Sequence, residues 1–308
     1  MNAPKPIATS ENRAAWLEKR RGGVTATDMA KLGHGGGTAT LRRIIEEKRG
    51  EAAAWAGNAA AQHGRDREPE IAAWIERESA RGRFGSGALV RTAGLFAHPE
   101  HPRHLASPDG LSADWEFSRE SFEIKTTDHA WSSIPRDYLR QVWWQQYVLG
   151  AERTLVVWER HENYVPVDLE PSWQWVKRDQ HEIDALVTRA AELLEFFDRE
   201  APLAPKDIDV RIGRYLRLRD RRAVIDAQMQ EIEEYLRNRA GSGPLTAFGT
   251  LGDLSISAPT SSMRFSQAAL AADHPDLVEA YKRPVEAKGR FTITPVRVTA
   301  QQQETNAA

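Results

Sequence analysis

The stretch Phe122-Glu123-Ile124-Lys125 alternates apolar and charged side chains, and a period of two commits it to a strand. Glu123 and Lys125 fall on one face, Phe122 and Ile124 on the other. Upstream, Asp109 lies in Ser107-Pro108-Asp109-Gly110, a turn sequence. A carboxylate at a turn, with a carboxylate and an ammonium on one strand face, is able to hold a divalent metal beside a water. Hard carboxylate oxygens bind Mg²⁺, and the metal activates water for phosphodiester hydrolysis. Charged residues make up 28% of the chain, so the same pattern also arises by chance, and a solvated hairpin fits these residues too. The rest of the chain has to separate the two.

The length of 308 residues suits one large domain or a core domain with an appendage. There are no cysteines, which excludes disulfides, thiolate zinc sites and cysteine-ligated clusters and fits a reducing compartment. No apolar run approaches the length of a membrane span, and Met1-Asn-Ala-Pro-Lys-Pro6 lacks a secretory apolar core. A cytoplasmic protein without a membrane partner is expected. The net charge of −2 does not announce a nucleic-acid binder. Its distribution is more informative: Arg211, Arg214, Arg217, Arg219, Arg221 and Arg222 crowd one segment, and Arg13, Lys19, Arg20 and Arg21 another. Such patches contact phosphates or form solvated helix faces, and both readings stay open for each.

Residues 1–12 read as a flexible lead-in, followed by a helix over about 12–21. Thr25-Ala-Thr27-Asp28 reads as a turn feeding a second helix, with Thr27 or Asp28 as its cap. Gly33-His-Gly-Gly-Gly37 is a flexible loop without a Walker-type Lys-Ser/Thr. Helices are expected at 38–50 and 52–80, with Pro69 kinking or restarting the latter and leaving Glu68 near a helix N-terminus. Strands follow within 83–97, then a short strand into Pro108, then the Glu-Ile-Lys strand. An aromatic helix at 135–149, a hairpin over 154–158 and 164–167, and a helix at 171–199 complete the segment. Pro202 and Pro205 mark a boundary. Beyond it lie a charged helix at 207–239, strands at 245–257 and 290–298, and short helices at 265–270 and 275–281. The organisation is a flexible 1–12, a domain over 13–200, an α+β appendage over 206–300 and a tail at 301–308. The first domain reads as α/β with a small mixed sheet.

Several polar positions can be set around one site, each with a bland alternative. Glu68 is a third carboxylate for the metal, or a surface residue paired with Arg65 or Arg67. Lys125 orients the nucleophile and stabilises developing charge, or pairs with Glu123 or Asp128. Gln141, on a helix crowded with aromatic side chains, is an active-site donor or a member of a structural network. His98, His101 and His104 are spaced three apart but are interrupted by Pro99 and Pro102, and no zinc site is expected there. Most tryptophans sit in apolar-periodic segments and read as core.

The order of segments is more specific than any one of them. Arg20-Arg-Gly-Gly-Val-Thr-Ala-Thr27-Asp28 comes first, then Gly64-Arg-Asp-Arg-Glu68-Pro69. Ala106-Ser107-Pro108-Asp109-Gly110-Leu111 and Glu123-Ile124-Lys125-Thr126 follow, and Tyr138-Leu-Arg-Gln141-Val closes the series. Over about residues 12–200 this series resembles the YqaJ-like viral recombinase family, the lambda exonuclease family within the PD-(D/E)xK nuclease superfamily. The resemblance implies a restriction-endonuclease-like core, a mixed central sheet flanked by helices, with the α+β appendage outside it. It implies Mg²⁺-dependent 5′→3′ exonuclease action on linear double-stranded DNA, with Mn²⁺ as a possible substitute. By position, Asp109, Glu123, the Ile124 carbonyl and Glu68 match the metal site, Lys125 the catalytic lysine and Gln141 the motif glutamine. Arg20, Thr27 and Ser107 match positions that grip a DNA 5′-phosphate, Thr27 in place of a serine. Lambda-type members carry a further arginine soon after the strand; here Thr126–Trp131 contains none. A single-strand annealing partner, a ring-shaped homo-oligomer and the cytoplasm of a bacterial host of a phage are implied on the same ground. The competing readings are a DNA-end-binding or scaffolding module with a retired nuclease core, and a structure-specific endonuclease.

Overall fold

The Phe122–Lys125 alternation does form a strand, and that strand runs through the middle of the main sheet. A computed structural model of the chain describes residues 4–33, 37–52, 57–284, 289 and 291–293. The chain divides into two compact units, residues 1–201 and 202–308.

In the first unit, β1 (Ala8–Thr9) precedes α1 (Arg13–Arg21), and β2 (Val24–Thr25) runs straight into α2 (Ala26–Leu32). Next come α3 (Thr38–Arg49) and α4 (Ala59–Ala80). Strands β3 (Leu89–Arg91), β4 (Gly94–Ala97), β5 (His104–Ala106), β6 (Gly110–Ser112) and β7 (Glu120–Thr127) follow. Helix α5 (Arg136–Leu149) connects β7 to β8 (Arg153–Glu162), and β9 (Val165–Pro166), β10 (Ser172–Lys177) and α6 (Gln180–Phe197) close the unit. The main sheet has the order β10-β8-β7-β6-β3, with β9 paired to β8. β7 and β8 are parallel, which requires a crossover such as α5, whereas β6 and β10 add antiparallel on either side. A second sheet, β1-β4-β5-β2, lies beside it in the same unit. The α/β class and mixed sheet are as expected.

Burial explains how β7 is held. Phe122 and Ile124 enter a core with Ile71, Trp74 and Ile75 of α4 and with Leu155 and Val157 of β8. Residues 71, 74 and 75 share one helix face at i, i+3 and i+4, so α4 lies against the sheet by that stripe. Gly110 pairs with Phe122 across β6 and β7. A Cβ at Gly110 would meet the Phe122 ring at 1.8 Å, so only glycine lets β6 close on β7 there. That approach sets Asp109, the preceding residue, against the middle of β7.

Four local expectations need correction. α4 is continuous through Pro69, with its N-cap at Asn58, so Glu68 sits mid-helix rather than at an N-terminus. Proline removes one amide donor, and burial of the stripe that follows it outweighs that local loss. The cap of α2 is Thr25, not Thr27 or Asp28: its hydroxyl accepts from the Asp28 amide, and the Asp28 carboxylate accepts from the Thr25 amide at 2.8 Å. Residues 172–177 are strand rather than the start of a helix at 171. Trp173-Gln-Trp175-Val176 has a period of two and pairs with β8, and α6 starts only after the Asp179 cap. Residues 8 and 9, expected in a flexible lead-in, pair with β4.

The second unit contains α7 (Lys206–Ala240), the hairpin β11 (Leu245–Phe248) and β12 (Asp253–Ile256), and helices α8 (Gln267–Asp273) and α9 (Pro275–Tyr281). Most of the expected Gly33–Gly37 loop, six of the nine residues of the expected 290–298 strand, the 301–308 tail and residues 1–3 lie outside the described residues, and 291–293 are not in a strand. Among the described residues no helix is long and apolar enough to cross a membrane.

Candidate active site

Strand periodicity turns Glu123 and Lys125 away from the apolar core and toward α5. There Glu123, 3% exposed, accepts from three side chains. Lys125 Nζ donates to its Oε1 at 2.6 Å, and Gln141 Nε2 donates to the same oxygen. Gln145 Nε2 donates to Oε2 at 2.8 Å. Gln141 and Gln145 are one turn apart on α5, so a single helix face orients the carboxylate. Gln145 was not singled out in the sequence; its spacing of four from Gln141 was the available signal.

Asp109 approaches from the β6 side. Its Oδ2 accepts from the Ile124 amide at 2.6 Å, which ties it to the residue between Glu123 and Lys125. Burial first, and then the neighbouring Glu123 carboxylate, push the Asp109 carboxyl well above the ordinary carboxylate range, while Lys125 opposes the shift. Burial on its own lowers the Lys125 ammonium, but Glu123 and Asp109 outweigh it and leave Lys125 raised. Two carboxylates thus share one ammonium, an arrangement with acceptor capacity for a further cation. Mg²⁺ is commonly held by one or two carboxylates plus water, so Asp109, Glu123 and the Ile124 carbonyl fit it.

Glu68 is oriented differently. Its Oε1 accepts from Arg91 at 2.9 Å, not from Arg65 or Arg67, and Arg67 instead bonds Glu159 and Glu70. The Glu68 charge still contributes to the rise at Asp109. Among the described residues no group of three or more His, Cys, Asp or Glu closes into a metal-holding cluster. Glu68 therefore faces the site without joining the Asp109–Glu123 pair. On the other side of Lys125, the Tyr138 ring lies 5.1 Å from Nζ. Trp131 packs on Tyr138 and stacks on Trp158, forming an aromatic wall beside the lysine.

Of the expected phosphate-binding residues, Arg20 and Ser107 meet in a second corner. Arg20 Nη1 donates to Ser107 Oγ at 3.4 Å, and its guanidinium lies 4.3 Å from the Trp16 ring. Burial lowers Arg20 from its ordinary value, against the pull of Asp28. Thr27 is exposed on α2. Lys48 was not anticipated here. It pairs with Asp28 at 2.8 Å and donates to the Arg20 carbonyl at 2.6 Å, so it buttresses the Arg20 backbone. Gln145 links the two corners, because its Nε2 also donates to the Ser107 carbonyl at 3.4 Å.

Solved structures with similarity to this chain include LHK-Exo in complex with dAMP, at 22% identity over 67% of this chain and 99% of that one, with a TM-score of 0.47. An alkaline exonuclease (LHK-Exo) from Laribacter hongkongensis is 22% identical over 61% and 97% of the two chains, with a TM-score of 0.44. A phage related exonuclease from Haemophilus somnus 129PT is 14% identical over 57% and 93%, with a TM-score of 0.43. No curated protein matches the chain. Residues 15–152, which span both corners, match the model of the YqaJ-like viral recombinase domain.

Proposed function

We propose that the protein is a metal-dependent deoxyribonuclease that degrades linear double-stranded DNA from 5′ ends. The observation that carries this reading is the convergence of Asp109, Glu123 and Lys125 at the β6–β7 junction inside a YqaJ-like domain. Asp109, Glu123 and the Ile124 carbonyl would hold Mg²⁺, or Mn²⁺ in its place. Bound there, the metal supplies an activated water and neutralises charge on the scissile phosphate. Lys125 orients that water and stabilises the charge that develops on the phosphoryl oxygens. Gln141 and Gln145 keep Glu123 in one orientation, so little reorganisation is needed at the moment of reaction. Glu68 adds negative potential at the site, and with Oε1 held by Arg91 its second oxygen would serve as a further ligand.

Arg20, Ser107 and Thr27 are assigned to the terminal 5′-phosphate, a guanidinium and two hydroxyls being suited to phosphate oxygens. Digestion of one strand would leave the other for a single-strand annealing protein, in the cytoplasm of the bacterial host. The test is incubation of 5′- and 3′-labelled linear duplex and of a closed circle, with Mg²⁺, Mn²⁺ or EDTA. Metal-dependent mononucleotide release from 5′-phosphorylated ends is the expected result. Nicking of the closed circle would reassign the protein as an endonuclease. Binding to ends without cleavage, unchanged in Lys125→Ala, would make it an end-binding module.

A further inference from the structure

Helix α7 is 35 residues long, and none of them is buried. A single helix of that length with no buried residue lacks the tertiary burial that normally sustains helices in water; its Tyr215 makes an edge contact with the Phe291 ring. Six of its apolar residues fall in one line, whereas Val210, Ile212, Leu216, Val224 and Tyr235 lie off it. Tyr215, Leu218, Ile225, Met229, Ile232 and Leu236, with Arg222 among them, recur at alternating steps of three and four, which is the a/d spacing of a coiled coil. The middle of this seam is open: Leu218, Met229 and Ile232 are 57%, 63% and 60% exposed.

Charge along the helix identifies the occupant. Between Arg211 and Arg222 the helix carries six arginines against Asp220, and between Asp226 and Glu234 it carries four acids and no base; its first turn is acidic (Asp207, Asp209) and its last turn basic (Arg237, Arg239). Every one of these stretches meets the opposite sign when a second copy runs antiparallel. We infer that α7 is a self-pairing surface at which two copies of this chain associate through an antiparallel coiled coil.

The register follows from the seam. Matching a positions to d positions of the other copy sets Leu218 against Met229, Tyr215 against Ile232, and Arg222 against Ile225. The flanking positions then bring Arg219 of each copy to Asp226 of the other. Both groups now sit in exposed pairs within the helix, Arg219 with Asp220 and Arg222 with Asp226, and such pairs contribute little and exchange readily. A parallel pair would instead stack Arg222 on Arg222 in the seam and set Arg214 against Arg219. A polar residue at one a position is a recognised means of fixing orientation, and Arg222 serves that role here.

The test uses the full-length chain. Sedimentation velocity should give an associated species whose mass falls by half in Leu218→Asp and in Ile225→Asp. Val224→Asp should leave the mass unchanged, since Val224 is 59% exposed but lies off the seam. Circular dichroism of each variant checks that helix is retained. Because the chain has no cysteines, orientation can be read by mixing Leu218→Cys chains with Met229→Cys chains under mild oxidation. Antiparallel pairing yields the mixed disulfide and no Leu218→Cys homodimer, whose two positions would lie roughly 16 Å apart along the axis. A monomer throughout, a mass insensitive to both seam variants, or homodimers of Leu218→Cys would each overturn the proposal. Loss of DNA binding in the seam variants without a change in mass would also overturn it and make α7 a nucleic-acid surface.

Discussion

The carboxylate corner and the Arg20 corner occupy the same unit but are built to different standards. Around Glu123 both carboxylate oxygens accept from named side chains, and Asp109 is bonded to the backbone of the same strand. Among the described residues the Arg20 guanidinium makes one side-chain hydrogen bond, to Ser107 at 3.4 Å, and Thr27 is exposed. The difference teaches which part is complete without a ligand. The first corner is preorganised, as electrostatic stabilisation of a transition state requires. The second holds the Arg20 cation with its guanidinium on Trp16 and its carbonyl on Lys48, and under the proposed function a terminal phosphate would complete its hydrogen bonding.

That contrast orders the expected effects of substitution. Lys125→Ala removes the ammonium from the two-carboxylate corner and should lower kcat by roughly 10²–10³-fold, with KM for DNA ends little changed, in steady-state cleavage of labelled duplex. An effect confined to KM would move Lys125 to the binding side of the comparison. Gln145→Leu keeps the volume but deletes the donor to Glu123 Oε2. It should reduce kcat about tenfold and lower stability by about 1–3 kcal/mol, because the buried Glu123 Oε2 loses its side-chain donor. Arg20→Ala should raise KM by roughly tenfold for 5′-phosphorylated ends and hardly at all for 5′-hydroxyl ends. Equal losses on both kinds of end would show that Arg20 supports the fold rather than the phosphate.

A smaller effect concerns stability. The Asp109 carboxyl is raised in the folded chain, so the folded state binds its proton more tightly than the unfolded state does. The ionised form therefore costs stability above the folded pKa, and stability is regained as pH falls through it. Asp109→Asn, which can still accept from the Ile124 amide, should stabilise the metal-free chain at neutral pH, because it removes a charge that burial and Glu123 disfavour. Urea unfolding in EDTA measures this. A destabilised Asp109→Asn would contradict the view that the corner carries excess negative charge.

The main strand was legible because burial and period agree: Phe122 and Ile124 point to the α4 core and Glu123 and Lys125 do not. The two glutamines of α5 were half legible, since helical spacing puts them on one face but does not say what they touch. Residues far apart in the chain were not legible in the same way. Nothing local to Glu68 points to Arg91, and nothing near Lys48 points to Asp28. Pro69 misleads because its cost is local, whereas burial of the face that follows is a property of the assembled sheet. The 172–177 strand was missed because its alternating tryptophans adjoin a strongly helical segment, and only pairing with β8 separates the two.

The central claim is that Asp109, Glu123 and Lys125 form the hydrolytic centre. It is tested most directly by single-turnover release of mononucleotides from a 5′-phosphorylated linear duplex, comparing the unaltered chain with Glu123→Gln, in Mg²⁺ and in EDTA. The account predicts rapid release by the unaltered chain in Mg²⁺, none in EDTA, and a loss of roughly 10²-fold or more in Glu123→Gln. Release by Glu123→Gln at the rate of the unaltered chain would place the chemistry elsewhere and contradict it.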